Sequence, residues 1–399
     1  MPTPLSAQAR DRVLLPFPAY PACSDVVAPL TAGKNGNLYG EGINSGDNHA
    51  GCIFELSPSE AGPTETVIHA FSGPDGSDPR ASLLFDANGN LYGTAGGGGA
   101  NNEGLVFELS PSADGTWAQT ILYTFVGGNS DGAGPEGKLA FDRQGNLYGA
   151  TRGGGSHNAG TVFKISPSQG GWVESILYEF PSGISGPGGD SPVGGIVMDH
   201  AGRIYGVTSS GGEYGSGAAY ELVPENGTYK QEIIHSFGAS GVTPNSGLTM
   251  DSNGNLYGTT WFGGNSFGGT VYELTKGTGG VWTETTLQNM ELENGVSPQG
   301  PVVFDKAGNL YATASTGGIN GMGSVFMLTP VKSGEWVETV LHRFNLKFPD
   351  GEDGEDPQTG VIIVDGRILG TTMLGGIYDD GIVFEITPPT TNPAVDCAP

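Results

Sequence analysis

One pentapeptide pattern returns seven times along this 399-residue chain. Gly36-Asn37-Leu38-Tyr39-Gly40 comes back at 89–93, 145–149, 202–206, 254–258, 308–312 and 366–370, at intervals of 53, 56, 57, 52, 54 and 58 residues. A repeat of this period is one supersecondary unit that cannot bury its apolar face alone and has to stack on copies of itself. Solenoids and propellers remain; a single conventional core does not, because 399 residues exceed the size at which one core keeps growing.

Each unit carries four apolar runs of four to eight residues, bounded by Gly, Pro, Asn or Ser, which is the signature of short strands. In the fifth unit these are GLTMD (247–251), LYGTT (256–260), TVYEL (270–274) and ETTLQNM (284–290). SNGN between the first two is a hairpin turn whose Asn-Gly tolerates positive φ. WFGGNSFGG is a glycine loop, and no segment has a helical period. Four strands per unit of about 50 residues predict an all-β, seven-bladed β-propeller of four antiparallel strands per blade.

The chain ends support a closed ring. Fourth strands share a frame, TVIHAF (66–71), TILYTF (120–125), SILYEF (175–180), EIIHSF (232–237) and TVLHRF (339–344), and RVLLPF (12–17) fits it ahead of the first unit. The seventh unit has no fourth strand after IVFEI (382–386). Pairing residues 12–17 beside 382–386 removes the two open edges a broken ring would expose. Residues 1–388 are therefore expected to form one propeller, with 389–399 as a tail.

Composition sets limits on partners. Sixteen basic against 42 acidic residues give a net charge of −26, which disfavours nucleic acid, anionic lipid and polyanionic polymers. A neutral or cationic partner fits better, although the acidity also serves as a solubility device for a glycine-rich β surface. No run of about 18 apolar residues is present to insert in a membrane. Three cysteines allow one disulfide, Cys23–Cys52 being the pair the ring topology favours; three free thiols are the alternative. Ala7-Gln8-Ala9 looks like the end of a cleavage site, which points to an extracellular, cell-surface or periplasmic protein.

The units DANGNLYGTAGGGGANNEGLVFELSP (86–111) and DSNGNLYGTTWFGGNSFGGTVYEL (251–274) resemble the GloVer repeat of bacterial proteins called choice-of-anchor tandem repeat GloVer-containing. The resemblance covers residues 26–388. It implies an exported or surface propeller, often with a sorting tail, and brings no catalytic residues to carry over. The tail TPPTTNPAVDCAP (387–399) has no apolar anchor helix.

Comparing the seven units with one another separates scaffold from site, since a residue repeated at one frame position is scaffold and an odd one is a candidate. Trp117, Trp172, Trp282 and Trp336 share a slot before the fourth strand and are packing residues. Trp261 and Phe262 stand alone in the glycine loop, as a stacking platform for a sugar ring or for a protein's apolar anchor, or as packing against a neighbouring blade. His69, His235 and His342 share a strand position with Tyr123 and Tyr178, whereas His49 and His157 lie in glycine loops two blades apart. In a propeller the loops after second and fourth strands share one face. There, residues following the Pro of each first strand would ring the channel mouth: Val27, Arg80, Glu136, Val193, Asn245, Gln299 and Gln358. Five of these are polar and they differ, which suits an asymmetric binding mouth.

The acidic turn PDGEDGEDP (349–357) offers Asp350, Glu352, Asp353, Glu355 and Asp356, and PDGSDP (74–79) offers Asp75 and Asp78; both are calcium candidates, or simply solvated turns. The leading expectation is a non-enzymatic binding scaffold for a neutral glycan or a protein. A carbohydrate-active lyase built on Arg152, His157 and Tyr214, or a glycoside hydrolase drawing on Glu136, Glu213 or Asp131, is the alternative. A structural spacer is the third.

Overall fold

The computed structural model describes residues 9–18, 22–43, 45–46, 48–60, 62–181, 188–345 and 353–389. It is a seven-bladed β-propeller. Each blade is an antiparallel sheet in chain order from the axis outward, as in the first blade, Thr31–Ala32, Leu38–Gly42, Cys52–Ser57 and Thr64–Ala70. The blades follow one another around the axis, and the described residues include no α-helix, hence none long and apolar enough to cross a membrane.

The seventh blade is closed by the amino terminus. Its sheet runs Ile362–Val364, Arg367–Thr371, Ile382–Thr387 and then Arg10–Pro16, with Arg10 opposite Thr387, Val13 opposite Phe384 and Pro16 opposite Ile382. The strand begins two residues before the expected 12–17 and ends one before Phe17, whose N–H donates to Gly381 O at 3.0 Å. A bulge between Val13 and Leu15 recurs in the fourth strands of the other blades, for example between Ile121 and Tyr123. The amino-terminal strand thus copies the backbone of the strand it replaces.

Aromatic residues at repeated positions hold neighbouring blades together. In four blades the Tyr of the pentapeptide packs edge-on against the next blade: Tyr39 on Phe85 and Trp117, Tyr92 on Phe141, Tyr205 on Trp282, Tyr257 on Phe304. The Phe after the fourth strand, replaced by Met290 in the fifth blade, does the same one level higher, pairing Phe71 with Phe107, Phe125 with Phe163 and Phe344 with Phe384. The core is therefore seven clusters of fully buried residues, one between each pair of blades, as a repeat architecture requires. The second glycine of the pentapeptide lies flat on a third-strand ring: a Cβ at Gly40 would sit 2.3 Å from Phe54 Cζ. Six blades have glycine at this position, and the sixth has Ala312 opposite Phe326.

The first strand of the fourth blade is one run, Asp190–Met198, but that of the fifth, expected over 247–251, is shorter there and has a second piece ahead of it. In the fifth blade Val242–Pro244 and Thr249–Met250 are separate, both paired to Leu256–Phe262. Thr243, before the Pro of this strand, is left-handed (φ 56°), and the backbones of neighbouring blades approach closely. A Cβ at Gly194 would lie 2.0 Å from Gly247 N, so neighbouring inner strands are too tightly apposed to pair as regular ladders.

Candidate functional site

The inner strands enclose a central channel of about 1030 Å³. Strand alternation stacks its lining in levels. At the mouth stand Val27, Arg80, Glu136, Val193, Asn245, Gln299 and Gln358, so all seven expected ring positions do face the channel. Two residues further in are Pro29, Ser82, Lys138, Gly195, Gly247, Pro301 and Gly360. Below them Leu84, Ala140, Val197, Val303 and Ile362 make an apolar floor, joined by Thr31 and Thr249, whose hydroxyls donate to Leu83 O and Val302 O of the next blade.

The mouth is rigid because its backbone is pinned between blades. The residue two before each ring position is left-handed in every blade: Asp25, Asp78, Gly134, Ser191, Thr243, Ser297 and Asp356. In six of them its N–H donates to the glycine loop of the preceding blade, as Asp78 does to Ala50 O at 2.9 Å and Ser297 to Gly268 O at 2.7 Å. The Pro that follows packs on that loop's last glycine; a Cβ at Gly51 would meet Pro79 Cδ at 2.4 Å. Conformations this uncommon for non-glycine residues persist only where surrounding contacts fix them.

The two sides of the mouth have different chemistry. On the second and third blades, Arg80 Nε donates to Asp78 Oδ2 at 2.8 Å, and Arg152 Nη1 lies 3.6 Å from Glu136 Oε1. Opposite, amides run in a chain: Asn245 Nδ2 donates to Gln299 Oε1 at 3.4 Å, Gln299 Nε2 to Ser315 Oγ at 3.0 Å, and Ser315 Oγ to Ser297 O at 3.0 Å. Gln358 Nε2 donates to Asp356 Oδ2 at 2.7 Å.

Lys138 lies two residues beyond the ring position, at a level where no repeated motif draws attention to it. There the other blades carry Pro, Ser or Gly, so Lys138 is the one long and charged side chain at its level. It is exposed to the channel but surrounded by protein, and this partial desolvation lowers its amine below the usual lysine range.

The other nominated residues lie away from the channel lining. Trp261 and Phe262 are not in a loop but end the second strand of the fifth blade, because pairing of Val242 with Phe262 carries that ladder outward past Thr260. Their rings stack at 4.7 Å and 23°, with Trp261 half-buried and Phe262 exposed. His157 Nδ1 lies 3.0 Å from Ser156 Oγ, which donates to Glu179. Tyr214 and Glu213 are exposed on an outer loop. Asp131 is buried and accepts from Tyr123 OH, Val126 N and Gly132 N, which is a scaffold role. The acids considered for hydrolysis therefore do not share one cavity.

Phe262 and Tyr214 belong to a larger exposed apolar crescent on the loop face of blades four to seven. Phe267 is 79% exposed, Leu292 71%, Ile319 73%, Ile377 55% and Tyr378 52%. The loops between second and third strands of blades one to three carry polar residues such as Asn48, Asn101 and His157, and Val126, 52% exposed, is the large apolar side chain on that side. Phe267 is moreover held at φ 57°, where the equivalent residues are Gly, Asn, Asp and His.

Of the acidic turns, Asp350 and Glu352 lie outside the described residues. Asp353 accepts from Asn345 N and Gly354 N and faces His342 Nε2 at 3.2 Å, and Asp75 accepts from Ser72 N and Oγ. Among the described residues no group of three or more His, Cys, Asp or Glu side chains is arranged to hold a metal. Cys23 and Cys52 are joined in a disulfide, Cα to Cα 5.9 Å, tying the segment after the closing strand to the first blade.

These features define a closed β-propeller with an asymmetric mouth on its loop face. The chain belongs to the Gloeobacter/Verrucomicrobia repeat family, whose pattern matches residues 7–197 and again 191–395. Among curated proteins none matches its sequence. Similar solved structures include an extracellular domain assigned to a one-component system of B. thetaiotaomicron (10% identity, TM-score 0.57, 95% of this chain and 40% of that one). They also include the periplasmic gluconolactonase PpgL of Pseudomonas aeruginosa (15% identity, TM-score 0.50, 79% and 84%). At such identities the likeness concerns the fold alone.

Proposed function

We propose that this protein is an exported, non-enzymatic binding scaffold that docks a basic polypeptide on the apolar crescent of blades four to seven. The crescent itself is the observation that carries this reading. Scattered exposed hydrophobic residues are ordinary, but their concentration in the loops of four successive blades favours an interaction site. Aromatic rings alone would suit a glycan. Leu292, Ile319 and Ile377 are aliphatic and offer a sugar ring no stacking surface, so a protein's apolar anchors fit better. Exposed Glu213, Glu291, Glu293 and Asp379 interleave with these side chains, which selects a partner bearing Lys or Arg. Export is supported by the disulfide, since such bonds persist in oxidising compartments.

The test is fluorescence anisotropy against peptides of one length that vary net charge and apolar content separately, beside a panel of neutral glycans. Cationic amphipathic peptides should bind with a salt-sensitive Kd, weakened about tenfold by combining Phe262→Ala with Phe267→Asn. Equal binding of acidic peptides, preference for glycans, or indifference to the double substitution would overturn the proposal.

A further inference from the structure

The channel is a second site, independent of the crescent. Five charged residues line it, and four are matched: Arg80 with Asp78, and Arg152 with Glu136. The fifth, Lys138, is bridged to Gly195 through its backbone, but its amine has no hydrogen-bond or ion-pair partner among the described residues. In a chain of net charge −26, the interior of the channel thus keeps one uncompensated cation. The distant surface charge does not cancel it, because exposed charges beyond a Debye length of about 8 Å are screened. Space around the amine is open, since its neighbours at that level include Ser82 and Gly195.

Across the mouth from it stand polar groups with unused capacity. Asn245 Oδ1 and Gln358 Oε1 accept no hydrogen bond from the described residues, while the amide nitrogens beside them are held in place by Gln299 and Asp356. Fixed amides with free acceptors suit hydroxyl groups.

We propose that the channel binds a small polyhydroxylated monocarboxylate, a sugar acid, with its carboxylate on Lys138 Nζ and its hydroxyls on Asn245, Gln299 and Gln358. One unpaired cation matches one negative charge; a phosphate dianion would leave charge unmatched, and a polyanion meets the repulsion of the whole acidic surface. The apolar floor formed by Leu84, Val303 and Ile362 offers the charged end no further partner, so it stops at the lysine. Surrounding protein disfavours the charged amine, and a bound carboxylate favours its protonated form.

Isothermal titration calorimetry with sodium gluconate, set against sorbitol, acetate and inorganic phosphate, tests this. Gluconate should bind with a Kd at least about tenfold lower than any of the three, and binding should weaken with salt and at alkaline pH as the amine loses its proton. Lys138→Met should abolish the preference over sorbitol. Lys138→Gly, the residue that Gly195, Gly247 and Gly360 show the frame accepts, should do the same with the fold intact by circular dichroism. No gluconate binding, equal binding of sorbitol, tighter binding of phosphate, or an unchanged affinity in both variants would overturn it. Peptide binding on the crescent is unaffected by either substitution, so the two proposals fail separately.

Discussion

Phe17, from the amino-terminal strand, meets Phe54 of the first blade edge-on at 5.4 Å, the same pairing that Phe71 makes with Phe107 one blade further round. Both Phe17 and Phe54 are fully buried. The two chain ends are thus joined by an aromatic contact that belongs to the repeat, with the Cys23–Cys52 disulfide fastening the same junction.

That contact sets the stability of the ring. Phe17→Ala should cost about 3–5 kcal/mol, read as a lower midpoint in urea, because the cavity opens in a packed core. A chain starting after Phe17 should associate through its uncovered edge beside Ile382–Thr387, visible by sedimentation velocity. A monomer as stable as the parent would show that closure contributes nothing.

Stability should fall as pH rises from about 4.5 towards 7. Burial raises the carboxyls of Glu65 and Glu174 to about 7, Glu174 with a further push from Asp131, and raises that of Glu41 well above its ordinary value. The folded chain holds protons there that the unfolded chain releases above about 4.5, so deprotonation favours unfolding. His69 and His235, lowered by burial, act in the opposite sense below about 6.5. Comparing single variants with the parent isolates each group: Glu174→Gln and Glu41→Gln should raise Tm at about pH 8 and change it little at about pH 4. A gain independent of pH would contradict the assignment.

Two buried hydroxyls are out of place. Tyr220 and Tyr272 stand where other blades carry Phe54, Phe107, Phe163, Phe326 and Phe384, and neither OH has a hydrogen-bond partner among the described residues. Tyr220→Phe and Tyr272→Phe should each stabilise by about 1 kcal/mol, measured by urea unfolding, since the desolvation cost disappears with the hydroxyl. A loss of stability would mean that the hydroxyls are satisfied in solution.

Phe267 should trade stability for recognition. Phe267→Asn places there the residue that Asn102 and Asn158 supply in the second and third blades at φ 58° and 52°. A gain of about 1 kcal/mol is expected as the left-handed strain of a bulky side chain is relieved. The same variant, tested alone, should bind cationic amphipathic peptides more weakly. Stabilisation without loss of binding would remove Phe267 from the docking surface.

Blade number, ring closure and the mouth positions were legible because each recurs in the frame: RVLLPF matches TVIHAF, and the ring positions each follow one frame position. Trp261 and Phe262 were seen as odd residues but placed in a loop, since pairing to Val242 depends on where the broken first strand resumes. Lys138 was hidden in a glycine and proline level whose shared property, facing the axis, exists only once seven strands converge.

Sequence alone determined the repeat, its strands and the strand exchange between the chain ends, because hydrophobic periodicity and turn chemistry are local and were written seven times over. The tertiary structure decided which charges cancel. Arg80 pairs with Asp78 two residues back, but the meeting of Arg152 with Glu136 and the lack of an ion-pair partner for Lys138 among the described residues depend on how the strands come together around the axis, which no local pattern encodes.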